Sequence, residues 1–286
     1  MNLNETLPLT VNSPDSDRRN PGKLLLEILS DLFRYRELVW LLFLRDLKAQ
    51  FRQSLLGYAW LLLPPVLTTL VWVFLTRQEV VSFATPGMPY PVFVVVGTVV
   101  WQTFVRLIQM PLLTFDAGKT VFTKLRVPPE VFVAAGVLRA MFDSALYCAL
   151  LIPVMWSFGV RPSAAAPLFA LVMLSLVAFG TALGLMMIPL GSLYSDFKHG
   201  LPVLMGLLLY LAPVVYAPPA AGIASTVMRW NPMTPILMGA RGVLVTGSLQ
   251  HLGAILGILI ASLFVALGCL AALRVVMPHL VARMGA

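Results

Sequence analysis

Among the 12 acidic residues of this chain, Asp143 is the one that falls inside a long apolar run, and Arg139 stands one helical turn before it. Side chains four apart on a helix can pair. The two read as a neutralised pair near an inner membrane boundary, with a proton relay as the competing reading. Coupling to an ion gradient needs titratable groups at membrane depth, so one buried acid is a poor basis for a proton or sodium pump. Arg106 lies in another apolar run. Two readings stand for it: an arginine facing a wet cavity or a partner, or one that snorkels to the headgroups. Gly118-Lys119-Thr120 has the ending of a phosphate-binding loop, but that motif needs a glycine five residues earlier, after a strand. Position 113 is Leu113, so the chain is expected to carry no ATP site and no cofactor of its own. His199, His251 and His279 show no metal-ligand spacing, and no nucleophile elbow or metalloprotease helix occurs. No catalytic or metal-binding residue is assigned. Cys148 and Cys269 sit in apolar runs and read as small buried hydrophobes.

The elements that would position these residues follow from composition. The chain has 286 residues, 59% of them hydrophobic and 11% charged, whereas soluble domains carry roughly 25% charged residues. Such a chain cannot cover itself with a water-compatible surface, so its solvent is lipid. Without recurring strand-length alternation a barrel is disfavoured, which leaves an all-α polytopic membrane protein. The net charge of +8 suits helix ends beside anionic headgroups better than nucleic acid.

Six transmembrane helices are expected, over about 57–76, 91–112, 131–158, 164–190, 200–217 and 252–273. Pro64-Pro65 is expected to kink the first. Residues 1–30 read as a polar N-terminal tail with no secretory signal, and 31–286 as a single transmembrane domain. Residues 36–52 predict an amphipathic interfacial helix, with Arg45, Lys48 and Arg52 on one stripe and Trp40, Phe43, Leu47 and Phe51 on the opposite one. Residues 234–246 are apolar but too short to cross, and read as a re-entrant or interfacial segment. With the N-terminus inside, every Lys and Arg except Arg77, Arg106, Arg161, Arg229 and Arg241 falls on the cytoplasmic side. That is a clear positive-inside bias, and it places both termini in the cytoplasm. The aromatics Trp72, Trp101, Trp156, Trp230, Tyr90, Tyr194, Tyr210 and Tyr216 suit interfacial belts or, alternatively, a passage on which sugar rings stack.

Several of these stretches together resemble a known family. Arg45-Asp46-Leu47-Lys48, Arg52-Gln53-Ser54-Leu55-Leu56-Gly57-Tyr58-Ala59-Trp60 and Pro64-Pro65 are similar to the opening of type-2 ABC exporter permeases, in the branch that exports O-antigen, capsule or teichoic-acid chains. Gly97 and Trp101, Lys124-Leu125-Arg126-Val127-Pro128-Pro129-Glu130-Val131, Asp143, Leu193-Tyr194-Ser195-Asp196, Asn231-Pro232 and Arg241-Gly242 extend the likeness from about residue 30 onward. Ser195 departs from the family pattern, which has arginine there, and Val127 stands where an aromatic is common. The resemblance implies a permease subunit that pairs with a second copy of itself and with two copies of a cytoplasmic ABC ATPase, which would bind the ATP and magnesium. It implies a lipid-linked polysaccharide substrate and the bacterial inner membrane as location. A drug or other lipid exporter is the nearer alternative; an ion-coupled carrier and an intramembrane enzyme are the more distant ones. By the same resemblance Asp116, Lys119, Lys124, Arg126, Pro128 and Glu130 would form the ATPase-coupling element, with the 192–199 loop as an addition. Arg45, Lys48 and Arg52 would belong to a gate helix. Trp72, Trp101, Tyr210 and Tyr216 are the candidates for the channel lining, and Asn231, Pro232 and Arg241 for an outer gate.

Overall fold

The computed structural model describes residues 21–52, 54–80, 87–124 and 127–284. Its regular elements are all helical: α1 (Pro21–Arg34), α2 (Arg36–Phe51), α3 (Ala59–Arg77), α4 (Tyr90–Lys124), α5 (Glu130–Ser157), α6 (Phe169–Leu193), α7 (Ser195–Leu208), α8 (Ile223–Trp230), α9 (Met233–Arg241) and α10 (Leu252–Met284). A 3₁₀ turn, Ala166–Leu168, leads into α6; another, Leu209–Leu211, extends α7; and α9 runs on into a π-helical turn, Gly242–Thr246.

Among the described residues, five stretches are long and apolar enough to cross a bilayer: Ala59–Arg77, Tyr90–Lys119, Glu130–Ser157, Ala166–Leu193 and Leu252–Val276. They coincide with five of the six expected spans. The stretch expected to be the fifth differs. α7 has 14 residues, about 21 Å at 1.5 Å per residue, against a hydrocarbon thickness of roughly 30 Å. It ends because Pro213 forces the residue before it out of helical geometry: Ala212 is extended, at φ −110° and ψ 147°. α3, by contrast, runs unbroken through Pro64-Pro65.

The packing centres on α4. Val92 to Val96 are all buried, as are Val99, Val100, Trp101, Phe104, Leu107, Ile108, Leu112 and Phe115. A helix that is apolar and buried on all sides belongs in the middle of a bundle. α5 and α6 flank it. Where α6 crosses α4, a Cβ on Gly184 would stand 2.9 Å from the carbonyl oxygens of Leu107 and Ile108; small residues let membrane helices approach this closely. The Ser175 hydroxyl then donates to Ile255 O at 3.0 Å, joining α6 to α10. α3, α7 and α10 keep large apolar side chains exposed, among them Leu67, Leu70, Phe74, Val203, Leu207, Leu263 and Phe264.

The N-terminal region departs from expectation. Helix covers Pro21–Arg34, partly within the stretch read as a polar tail. Leu24, Leu25, Ile28 and Leu32 stand there at helical spacing. α1 is also the more strongly amphipathic of the first two helices. Apolar residues go round most of α2: Leu42 and Phe43 are buried, with Leu38 and Val39 packed beside Leu42 against Val131, Phe132 and Ala135, while Trp40 and Leu41 are exposed. The expected pair of opposite stripes leaves out Leu38, Val39, Leu41 and Leu42. Arg45, Lys48 and Arg52 are exposed.

Candidate functional site

α4 and α5 pack against each other as a hairpin. Its expected coupling residues divide into three groups. Asp116 and Lys119 lie on the last turns of α4. Asp116 accepts from Lys119 Nζ at 2.6 Å and from Lys198 Nζ of α7 at 2.5 Å, and Lys119 also donates to Ser192 O at the end of α6, at 3.0 Å. Lys198 is not among the residues that the sequence singles out; nothing in the spacing of 116 and 198 signals the contact. Arg126 and the side chain of Lys124 lie outside the described residues, and Pro128 is half-buried at the start of α5.

Glu130 corrects an expectation. Only 1% of it is exposed, and it accepts from Arg274 Nε at 2.7 Å, so it presents no carboxylate to a docking partner. Arg274 also pairs with Glu27 at 3.3 Å and with Asp31. One guanidinium on α10 thus gathers carboxylates from α1 and α5. A planar fork of five N–H donors suits that task as an ammonium would not.

Arg45, Lys48 and Arg52 line a recess of about 720 Å³ together with Ala49, Gln50 and Ser54. Arg45 pairs with its neighbour Asp46 at 2.8 Å. Gln50 connects this basic recess to the interior, because it accepts from Arg139 Nη2. Arg139 in turn donates to Asp143 Oδ1 at 3.1 Å. Arg106 Nε lies 3.7 Å from Asp143 Oδ2 and 3.3 Å from the Tyr147 hydroxyl. The choice left open for Arg106 is therefore settled in favour of a protein partner. Asp143 is fully buried between two arginines, which is the arrangement of a neutralising counter-ion.

The proposed lining residues also divide. Trp101 is 3% exposed and packs in the core, with its ring 5.5 Å from that of Phe104, so it faces no passage. Its position in a mainly apolar stretch of α4 did not reveal which side it faced. Trp72 is half-buried, and Tyr210 is 57% exposed. The Tyr216 hydroxyl donates to Tyr210 O at 2.5 Å. Trp101→Ala is expected to lower stability by about 3–5 kcal/mol, as for a buried aromatic truncated in a core, whereas Tyr210→Ala is expected to leave the melting temperature unchanged. Equal melting shifts for the two would contradict this placement.

At the opposite end of α4, Asn231 accepts from Met233 N at 2.9 Å and donates to Leu211 O at 3.2 Å, so it turns the chain from α8 into α9 and ties that turn to the end of the α7 segment. Pro232 is exposed beside it. Arg241 is 1% exposed and cannot form part of an accessible gate surface. Its guanidinium donates to Phe93 O at 3.2 Å, Pro213 O at 2.7 Å and Val214 O at 2.5 Å, and it stacks on the Phe93 ring at 3.5 Å. The break at Pro213 frees backbone carbonyls from a helix, and buried carbonyls need donors. Arg241 supplies them. Gly97 makes this possible: a Cβ there would overlap Val214 O and Arg241 Nη2.

Among the described residues no group of His, Cys, Asp and Glu gathers to hold a metal ion. The geometry is that of a helical body with an ion-paired cluster near the end of α4 and a capped helix break beside its start.

Sequence comparison with known proteins identifies relatives of this chain. The chain is 27% identical over 222 residues to an O-antigen export system permease protein, RfbA, of Myxococcus xanthus, covering 74% of this chain and 82% of the relative. It is 23% identical to the protein of the same name from Klebsiella pneumoniae, over 72% of this chain and 80% of that one. It is 22% identical to the polysialic acid transport protein KpsM of Escherichia coli, over 73% and 82%. The ABC-2 type transporter family model matches residues 37–245, from α2 to the π-helical turn after α9, and the chain belongs to that family.

Proposed function

We propose that this chain is the transmembrane permease subunit of an ATP-driven exporter that moves a lipid-linked polysaccharide outward across the bacterial inner membrane. The observation that carries the reading is the family match over most of the helical body, together with relatives named for O-antigen export and polysialic acid transport. Two copies of the chain pair with two copies of a cytoplasmic ABC ATPase, which holds ATP and magnesium. Both termini lie in the cytoplasm, in keeping with the distribution of Lys and Arg along the sequence.

In this reading α7, with its 3₁₀ extension, is the fifth of six crossings, and α9 with its π-helical turn re-enters from the outer side. The α4–α5 hairpin meets the ATPase, and Lys124 and Arg126 take part in that contact. The basic recess of α2 faces the cytoplasmic boundary. Tyr210 on the α7 segment and Trp72 on α3 border the passage, which suits a polymer too long to enclose in an occluded pocket. ATPase closure displaces the hairpin, the passage opens, and the chain advances.

The test is copurification from membranes with the ATPase encoded beside this gene. A stoichiometric complex with ATPase activity is expected. In that complex, Lys124→Glu combined with Arg126→Glu should abolish export while the protein still inserts. Failure of any ATPase to bind, with or without nucleotide, would remove the proposal.

A further inference from the structure

α7 is a rod tied at its two ends and lightly packed between them. It starts after an extended residue, Tyr194, at φ −124° and ψ 112°, so it is not a continuation of α6. It ends at the Ala212–Pro213 break. Between these points only Leu201 and Met205 are buried. Lys198, Leu201 and Met205 are spaced three and four apart, so they share one face, and Lys198 extends that face toward α4.

The far end is held by strong, buried contacts. Arg241 binds the carbonyls of Pro213 and Val214, and the Tyr90 hydroxyl donates to Val215 O at 3.1 Å. Tyr90 opens α4 and Arg241 ends α9. The near end depends on a different kind of contact. Lys198 reaches Asp116, two turns before the end of α4, at 2.5 Å. Both carboxylate oxygens of Asp116 are in use, one by Lys119 and one by Lys198, and Lys119 binds the last turn of α6 through Ser192 O.

From this we infer that Lys198 is a positioning residue: its ion pair with Asp116 makes α7 follow the α4–α5 hairpin, while the Arg241 contacts hold the far end as a pivot. A displacement of the hairpin then tilts α7 about the Pro213 break. The inference rests on the proposed function in one respect, that an ATPase drives the hairpin. Asp196 and His199 on the same turn are exposed and remain available for other contacts; Lys198 is mostly covered and engaged.

Charge chemistry makes the inference testable without unfolding the chain. In Lys198→Ala, Asp116 keeps Lys119 as partner, so no buried charge is stranded. In the exchanged pair, Asp116→Lys with Lys198→Asp, the new carboxylate faces both Lys119 and the new lysine. The experiment uses the full complex of this chain with its coexpressed ATPase, and reads ATPase binding, ATP hydrolysis and surface polysaccharide in cells. Lys198→Ala is expected to retain the ATPase and its hydrolysis but to lower export by about tenfold, the scale of coupling within one ion-pair network. The exchanged pair is expected to regain most of the export. Normal export by Lys198→Ala overturns the inference, as does loss of ATPase binding, which would make Lys198 a docking residue. An exchanged pair no better than the single change overturns it too, since a requirement for lysine itself would then be at work. If the unaltered chain binds no ATPase, the proposed function falls along with it; if it binds and Lys198→Ala exports normally, only the α7 linkage falls.

Discussion

Arg241→Ala is expected to be among the most damaging single substitutions in this chain, with a loss of about 2–6 kcal/mol. The figure follows from the buried Pro213 and Val214 carbonyls losing their donor, at about 1–3 kcal/mol for each group left unsatisfied; Phe93 O keeps its bond within α4. The carbonyls of Phe93, Pro213 and Val214 come from α4 and from the break after α7, so their junction should open. Arg241→Lys keeps a cation but not a fork that spans three acceptors, and it should fall between. Gly97→Ala should reproduce the alanine phenotype from the other side, because its Cβ would displace Val214 O and the guanidinium together. Arg229→Ala, at an exposed site on α8, should change stability by no more than about 0.5 kcal/mol. Melting of the purified protein in detergent, followed by fluorescence, checks all four. An Arg241→Ala protein that melts with the unaltered chain would show that water replaces the guanidinium at no cost.

The second large effect is expected at Asp143. Asp143→Ala leaves Arg139 and Arg106 facing each other's charge without the counter-ion, and breaking a buried pair in this way costs about 3–5 kcal/mol. Removing the second charge as well, in Asp143→Ala with Arg139→Met, should restore part of that loss, because an apolar pair of similar volume avoids the stranded cation. Asp143→Asn separates the two readings of this acid. It keeps an oxygen for Arg139 Nε but cannot carry a proton. As a structural counter-ion it should lose export only in proportion to folded protein. Folded Asp143→Asn protein that exports nothing would instead support a proton relay.

Much of this molecule is legible in its amino-acid sequence, and for one reason: the bilayer is a severe filter. A stretch that crosses must be apolar over about 20 residues and must satisfy its own backbone, so five candidate spans can be read from composition along the chain. The Arg139–Asp143 pair is legible too, because four residues on a helix is a fixed geometric relation. α1 escapes that reading although its signal is present, Leu24, Leu25, Ile28 and Leu32 in period; the polar run ahead of it dominates the composition of residues 1–30. The end of α7 is also written in the chain, since Pro213 restrains Ala212, but the apolar stretch continues past it and conceals the break.

What the sequence by itself determined was helical class, the place of five long apolar stretches, the contact between Arg139 and Asp143 one turn apart and a likeness to exporter permeases. What only the tertiary structure decided was which way each residue faces and what distant partner it meets. Trp101 and Tyr210 are both aromatics in apolar runs, yet one is in the core and the other on the surface. Hydropathy has no angular information on a helix that is apolar all round. Arg241 meets carbonyls 27 and 28 residues before it and another 148 before it; Arg274 meets Glu130 across 144 residues; Lys198 meets Asp116 across 82. Charges at such separations come together only because α4, α6 and α10 pack in one order, and that order is set by side-chain volumes and glycine contacts across the bundle rather than by any local pattern.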